Sequence, residues 1–265
     1  MQINMSNTEL FSEKASLYAK YRPTYPEELY DFLYTKAGFT AESIVADIGS
    51  GTGLFTAGLI KRCGAGGKIY AIEPNADMRK TSEEYFKESL EKDEFARLVI
   101  SNGDAENTTL PDESVDFITA AQAFHWFDRE KFRAECKRIL RPTEFGGKAA
   151  LIWNTEDPDD ELHIRLGKIF DDFLPEYKGH SNGTRNDSVG DFFNGNEDLY
   201  TRSYNIEMTA DRLIGRCLSS SHTPKESEGR IYREFIAAIS ELFDEFEDGG
   251  TVMYRMHTQC YLGKI

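Results

Sequence analysis

A doubly wound α/β fold with a mostly parallel sheet is predicted by three features of this 265-residue sequence. Strand-like and helix-like segments alternate through the first 155 residues, the pattern by which βαβ crossovers lay parallel strands beneath helices on both faces. A glycine-rich run, Gly49-Ser50-Gly51-Thr52-Gly53, falls between the first apolar strand and the helix after it. Hydrophobic residues make up 40% of the chain and aromatic ones 12%, enough core for one large domain.

The elements follow in order. Pro26–Ala37 reads as a helix with Pro26 near its first turn, Leu29, Phe32 and Leu33 on one face, and Gly38 as its stop. Candidate strands are Ile44–Ile48, Lys68–Glu73, Arg97–Asn102, Val115–Ala120 and Lys148–Asn154. Between them lie helical segments Phe55–Lys61, Ala76–Leu90 and Asp128–Leu140, the last with Asp128 as N-cap and Pro142 blocking continuation. Glu156–Asp198 holds 12 acidic and 4 basic residues, and Gly179–Asn196 is rich in Gly, Asn and Ser. This stretch is expected to be a mobile surface excursion. Within it Phe192–Phe193 either anchors a closing lid or packs permanently on the body. A strand at Thr201–Met208, a helix at Ala210–Leu218 and an amphipathic helix at Lys225–Glu247 come next. Ile231, Phe235, Ile239, Leu242 and Phe246 form the buried stripe of that last helix, and Gly249–Gly250 end it. Thr251–Leu262 alternates as a strand with one buried face. The chain is read as a single domain over 1–265, with N-terminal cap helices in 1–40, a core in 41–155 and further cap segments in 156–198 and 210–247.

Composition narrows the partners. Lys and Arg number 31 against 46 Asp and Glu, a net charge of −15, which argues against a duplex nucleic-acid partner because phosphate binding draws on clustered cations. No apolar run approaches the length of about 20 residues that spans a bilayer. Met1–Leu10 lacks the basic and apolar parts of a secretion signal, so a cytoplasmic location without membrane attachment is expected. Cys63, Cys136, Cys217 and Cys260 are scattered singly, which suits reduced, mostly buried thiols and no metal site. A small-molecule partner fits this balance, with the chain a monomer or a homodimer.

Four strand ends carry compatible chemistry. Asp47 stands two residues before the glycine run, where a carboxylate would repel a phosphate yet pair with an ammonium group. Its alternative role is to cap a helix or hold a turn. A dinucleotide fingerprint would need glycine at position 54, where Leu54 stands. Glu73 ends the second strand, twenty positions after Gly53, where an acid can take both hydroxyls of a ribose. Gly103-Asp104-Ala105-Glu106 follows the third strand; an acid beside a small residue can accept from an adenine amino group, although Gly-Asp also makes ordinary turns. Ala120-Ala121-Gln122-Ala123-Phe124-His125-Trp126-Phe127 leaves the fourth strand over the sheet edge where doubly wound folds bind ligands. Trp126 and Phe127 could instead wall the core while His125 bonds a backbone carbonyl.

These motifs resemble those of class I S-adenosylmethionine-dependent methyltransferases. Val45 through Gly53 looks like the first motif of that family, Ile72-Glu73-Pro74-Asn75 like its ribose-binding acid, and Gly103 through Glu106 like its adenine motif. Tyr18-Ala19-Lys20-Tyr21-Arg22-Pro23-Thr24-Tyr25-Pro26 and Gln122 through Asp128 are similar to the type 11 branch that contains trans-aconitate methyltransferase-like enzymes. The resemblance spans roughly residues 14–155. It implies a seven-stranded Rossmann-like sheet with the last strand antiparallel, and S-adenosylmethionine as cofactor. It also implies cofactor contacts from Tyr18, Arg22, Asp47, Gly49, Ser50, Gly51, Thr52, Gly53, Glu73, Pro74, Met78, Asp104, Ala105, Gln122 and Ala123. Tyr25, His125 and Trp126 are the corresponding candidates for the methyl acceptor. Arg22 could instead be a solvated cation or part of a structural salt bridge.

Methyl transfer from a sulfonium is an in-line displacement, so the protein chiefly aligns and dehydrates the partners. A carboxylate acceptor needs no base, whereas a hydroxyl would make His125 useful as one. Direct transfer to a small molecule, such as a carboxylic acid, is the reading that uses all four strand ends. An NAD-dependent oxidoreductase would account for Glu73 but not for Leu54, and a non-catalytic S-adenosylmethionine-binding protein would bind without turnover.

Overall fold

The computed structural model describes residue 17 and residues 20–142, 147–174, 186–220 and 223–265. Seven strands form one sheet: β1 (Ile44–Ile48), β2 (Lys68–Ile72), β3 (Leu98–Ser101), β4 (Phe117–Ala121), β5 (Lys148–Glu156), β6 (Glu197–Met208) and β7 (Val252–Lys264). Their order is β3-β2-β1-β4-β5-β7-β6. β1 to β5 pair in parallel, and β7 enters antiparallel between β5 and β6. This is the Rossmann-like arrangement expected, with the last strand reversed.

Alternation along each strand sends side chains to opposite faces. In β5, Ala149, Leu151 and Trp153 join one apolar cluster while Ala150 and Ile152 join another. The helices α1 (Glu27–Thr35) and α2 (Leu54–Ile60) cover the second face with Leu29, Leu33, Phe55 and Leu59. α3 (Ala76–Ser89), the short α4 (Lys92–Phe95) and α5 (Arg129–Ile139) complete the crossovers. Asp128 caps α5 as expected, its side chain accepting from the Lys131 amide at 3.3 Å.

The acid-rich stretch after β5 contains more structure than its composition suggests. α6 (Glu161–Phe173) buries Leu162 and Leu166, and Asp160 caps it by accepting from the His163 amide. α7 (Asn186–Phe193) follows, and residues 179–185 of the expected lid lie outside the described residues. Phe192 and Phe193 are 3% and 1% exposed, and Phe192 stacks on Phe132 with ring centroids 5.3 Å apart. The two rings are therefore part of the core.

α8 (Ala210–Leu218) matches its expected bounds. The long helix does not run unbroken from Lys225: a single turn at Glu226–Glu228 ends at Gly229, whose φ of 60° breaks the helix, and α9 begins at Arg230 and ends at Phe246. Ile231 lies in its first turn and is 39% exposed rather than part of the buried stripe. α6, α8 and α9 form a third cluster over β7, where Leu166, Leu213, Phe235 and Ile239 meet Tyr254 and Met256. No helix among the described residues is long and apolar enough to cross a membrane.

Candidate active site

A cavity of about 350 Å3 opens at the C-terminal ends of β1, β2 and β4, walled on its far side by residues before α1, on β5 and on the cap. Ligands of doubly wound sheets bind at this edge, where the strand order reverses between β1 and β4. Asp47 lines the cavity from β1 and is 1% exposed. Its Oδ2 accepts from the Thr56 hydroxyl at 2.6 Å and its Oδ1 from the Thr119 hydroxyl at 2.8 Å. Burial pushes its carboxyl up to about 6; the two hydroxyls oppose that rise and Glu73 adds to it.

The glycine turn crosses the cavity floor. Gly49, Ser50, Gly51 and Thr52 line it, and Gly51 has open space where a side chain would project. Gly53 does not line it. Its φ is +84° and a Cβ there would sit 2.3 Å from the Phe86 ring, so this glycine lets the turn close down on α3. Gly53 therefore has a packing role in the turn.

Glu73 lines the cavity from the end of β2 and is 8% exposed. Its Oε2 accepts from the Gly51 amide and its Oε1 from the Asn75 amide, both at 2.9 Å. Burial raises its pKa, and these two amides and Arg79 oppose the rise. Glu73 therefore braces the turn as well as facing the cavity, and each oxygen keeps a second lone pair for a hydroxyl. Asn75 caps α3 by accepting from the Asp77 and Met78 amides, which sets Pro74 and Met78 on the cavity wall. Asp104 both forms a turn, accepting from Asn107 at 2.7 Å, and lines the cavity with Ala105 and Glu106.

Beyond β4, Gln122 and Ala123 line the cavity. Gln122 has φ 55°, uncommon for a residue with a side chain, and is held by its amide to Ile152 and its side chain to the Asn154 carbonyl. Trp126 lines the mouth and is 41% exposed. His125 is not among the lining residues: its ring lies 5.0 Å from that of Trp126. It keeps an exposed edge, yet the protein packed around it pushes its pKa down to about 4, so the ring is neutral at pH 7.

On the far wall Tyr25 packs edge-on against Phe55, and Arg22 lines the cavity while its Nε donates to Ser219 Oγ at 3.0 Å. Tyr18 lies outside the described residues. Asn154, Arg216 and Met256 join the wall without having been singled out by the sequence. Asn154 could have been found, since it stands near the end of β5 on the same edge as the glycine turn; Arg216 is on α8 and belongs to no local motif.

The donor set suits S-adenosylmethionine. The cavity meets the acids Asp47, Glu73 and Asp104 at its strand-end side, which suits an ammonium and hydroxyls and opposes a pyrophosphate. The Ser50 and Thr52 hydroxyl oxygens are buried with no hydrogen-bond partner among the described residues, as expected of groups that a ligand would complete.

Residues 46–148 match the methyltransferase domain. The chain is 34% identical to an uncharacterized methyltransferase of Mycobacterium tuberculosis over 159 residues, covering 60% of this chain and 58% of the relative. It is 31% identical to an uncharacterized methyltransferase-like protein of Schizosaccharomyces pombe over 161 residues, covering 60% and 57%. The alignments thus span less than two thirds of these relatives' length. Among solved structures, one named for a type II methyltransferase of Anaeromyxobacter dehalogenans superposes with a TM-score of 0.63 at 20% identity, covering 92% of this chain and 97% of that one. A SAM-dependent methyltransferase of Aquifex aeolicus gives 0.52 at 18%, covering 94% and 97%. The fold shared with these structures thus reaches well beyond residues 46–148.

Proposed function

We propose that the protein is an S-adenosylmethionine-dependent methyltransferase acting on a small carboxylic acid. The observation that carries this reading is the convergence of Asp47, Glu73 and Asp104, from the ends of three strands, on one cavity floored by the glycine turn. In this reading Asp47 holds the methionine ammonium, Glu73 the ribose hydroxyls, and Asp104 with Ala105 the adenine, with Pro74 and Met78 against the ring. Gly49, Ser50, Gly51, Thr52, Gln122 and Ala123 frame the methionine arm, whose carboxylate pairs with Arg22. When bound, the sulfonium supplies an activated methyl group.

The chain's own work is then to position and dry the acceptor. Tyr25, Phe55, Trp126, Phe127 and Met256 give the cavity an apolar lining that excludes water from the reacting pair. His125 stands outside that lining, so an acceptor that is already an anion at neutral pH suits the site better than a hydroxyl that must first lose a proton. Arg216 on the far wall supplies positive charge, and the likeness to the trans-aconitate methyltransferase-like branch supports an acid as acceptor.

S-adenosylhomocysteine at about 100 times its dissociation constant should stabilise the native state by about 2.7 kcal/mol, read as a rise in melting temperature, while NADH should give none. A shift with NADH and none with S-adenosylhomocysteine would overturn the assignment. Release of S-adenosylhomocysteine in a screen of carboxylic acids, hydroxylated compounds and amines then identifies the acceptor class, and turnover confined to amines would overturn the carboxylic acid.

A further inference from the structure

A second group of reactive side chains stands on the part of the sheet outside residues 46–148. β5, β7 and β6 run side by side, and their register sets Thr155, His257 and Ser203 on one rung. Side chains alternate along a strand, so His257 points away from Met256, and Thr155 away from Asn154, the two neighbours that line the cavity. α7 covers the His257 face near Trp153 and Tyr261, whereas Ser203 is exposed and the His257 side chain is 32% exposed. The group is thus open to solvent and turned away from the cavity wall.

The Ser203 hydroxyl oxygen lies 2.7 Å from His257 Nδ1. On the other side of the ring, Nε2 is 3.5 Å from Asp157 Oδ1. The carboxylate favours a proton on Nε2, which leaves Nδ1 to accept the Ser203 O–H. Asp157 is itself held firmly. Its Oδ1 accepts from the Asp159 amide at 3.0 Å, its amide donates to the Arg255 carbonyl at 3.2 Å, and its carbonyl lies 3.1 Å from His163 Nδ1. The Asp159 amide, with His257 and Arg255, keeps the Asp157 carboxyl below the usual aspartate range, so it is an anion at neutral pH. The His257 backbone is pinned as well, since the Thr155 hydroxyl donates to its carbonyl at 3.3 Å.

A hydroxyl, an imidazole placed to take its proton and a carboxylate that orients the imidazole are the parts of nucleophilic acyl transfer. Here Ser203 and His257 are mounted on paired strands, and Asp157 directly follows a third, so the geometry is fixed before any substrate arrives. Thr201 and Gln259, paired two residues along the same face, and Asn205 on the other side of Ser203 are uncharged polar residues of the kind that meet a developing oxyanion.

We propose that Ser203 is a nucleophile toward carboxylic esters, with His257 as its general base and Asp157 as the positioning residue. Ser203 Oγ bonds to the acyl carbon while its proton passes to His257 Nδ1, and Asp157 stabilises the imidazolium. The ester C–O bond breaks, and the leaving oxygen keeps the electron pair and takes the proton from His257. Water then attacks the acyl group by the same route, releasing the acid and restoring Ser203. This activity is independent of methyl transfer.

The test uses the full chain with p-nitrophenyl acetate, read as nitrophenol release, and with a fluorophosphonate, read by mass mapping of the labelled residue. The unaltered protein should release nitrophenol over many turnovers and carry the fluorophosphonate on Ser203 in preference to any other serine. Ser203→Ala should lose both signals. His257→Gln should slow labelling of Ser203 by about tenfold or more, and Asp157→Asn by a smaller factor, at melting temperatures close to that of the unaltered protein. Labelling confined to other residues, or Ser203 labelling equally fast in the His257 and Asp157 variants, would overturn the assignment. So would nitrophenol release that survives Ser203→Ala. Should His257→Gln fail to fold, Ser203→Ala and Asp157→Asn still decide the question.

Discussion

Asp47 ties the glycine turn to pH. Its pKa of about 6 lies above the ordinary aspartate value near 3.8, so the native ligand-free state keeps a proton that the unfolded chain releases. Stability contributed by the protonated form is present below about 4 and is lost as pH rises toward 6. An ammonium placed against Asp47 reverses this by favouring the carboxylate, so binding releases a proton. S-adenosylhomocysteine should accordingly bind up to about tenfold more tightly at pH 7.5 than at pH 5, and Asp47→Asn should flatten that dependence; calorimetric titration at the two pH values checks both. Asp47, Glu73 and Asp104 could be read from the sequence because each sits at a strand end at a fixed distance from a glycine or a turn. Arg216 and Met256 could not, because only the folding of α8 and β7 over β5 brings them to the cavity. His125 stands after β4 where the sequence puts it, and the 3-10 turn at Phe124–Trp126 leaves Trp126 lining the cavity and His125 beside it.

The turn between β1 and α2 separates binding from packing within three residues. Gly51 faces open space with φ +57°, whereas Gly53 is closed against Phe86, which is itself 0% exposed. Gly51→Ala should cost about 1–2 kcal/mol of stability for its left-handed backbone and should block ligand approach. Gly53→Ala carries that same backbone cost and also drives a methyl group into a ring that has no room to move. It should destabilise by about 1–3 kcal/mol more, because overpacking adds to the strain. Denaturant melts and S-adenosylhomocysteine titrations of the two variants, compared side by side, distinguish these effects. Most elements were legible because apolar periodicity marks them. α6 was not, although Leu162, Leu166, Ile169 and Phe173 have helical spacing, because the surrounding acids give the segment the composition of a loop. Of the two readings of Phe192 and Phe193, packing on the body is the one their burial fits: Phe192 meets Phe132 and Phe124 and fixes a short helix to the core.

Across the whole molecule a charge of −15 works against compactness. Raising the ionic strength from about 0.01 M to about 0.15 M shortens the screening length from about 30 Å to about 8 Å. The melting temperature should therefore rise over that range, and a fall would mean that ion pairs such as Arg62 with Glu27 and Asp31 outweigh the repulsion. The parallel half of the sheet was predictable at this scale from alternation alone, since each βαβ unit is local in sequence. The placing of β7 between β5 and β6 was not, because it joins segments far apart: Glu156 lies opposite Met256, one hundred positions later. That separation also imposes an order in time. As the chain leaves the ribosome, β1 to β5 and the glycine turn can pair while the residues that complete the sheet are still untranslated. Among the described residues β6 pairs with the sheet through β7, so the edge of the sheet waits for β7 to be made. Met256 arrives with that strand, and the wall it forms with Asn154 and Arg216 is complete only then. On the proposed reading, a newborn chain would carry the acids of the cofactor side before Met256 closes the wall opposite them.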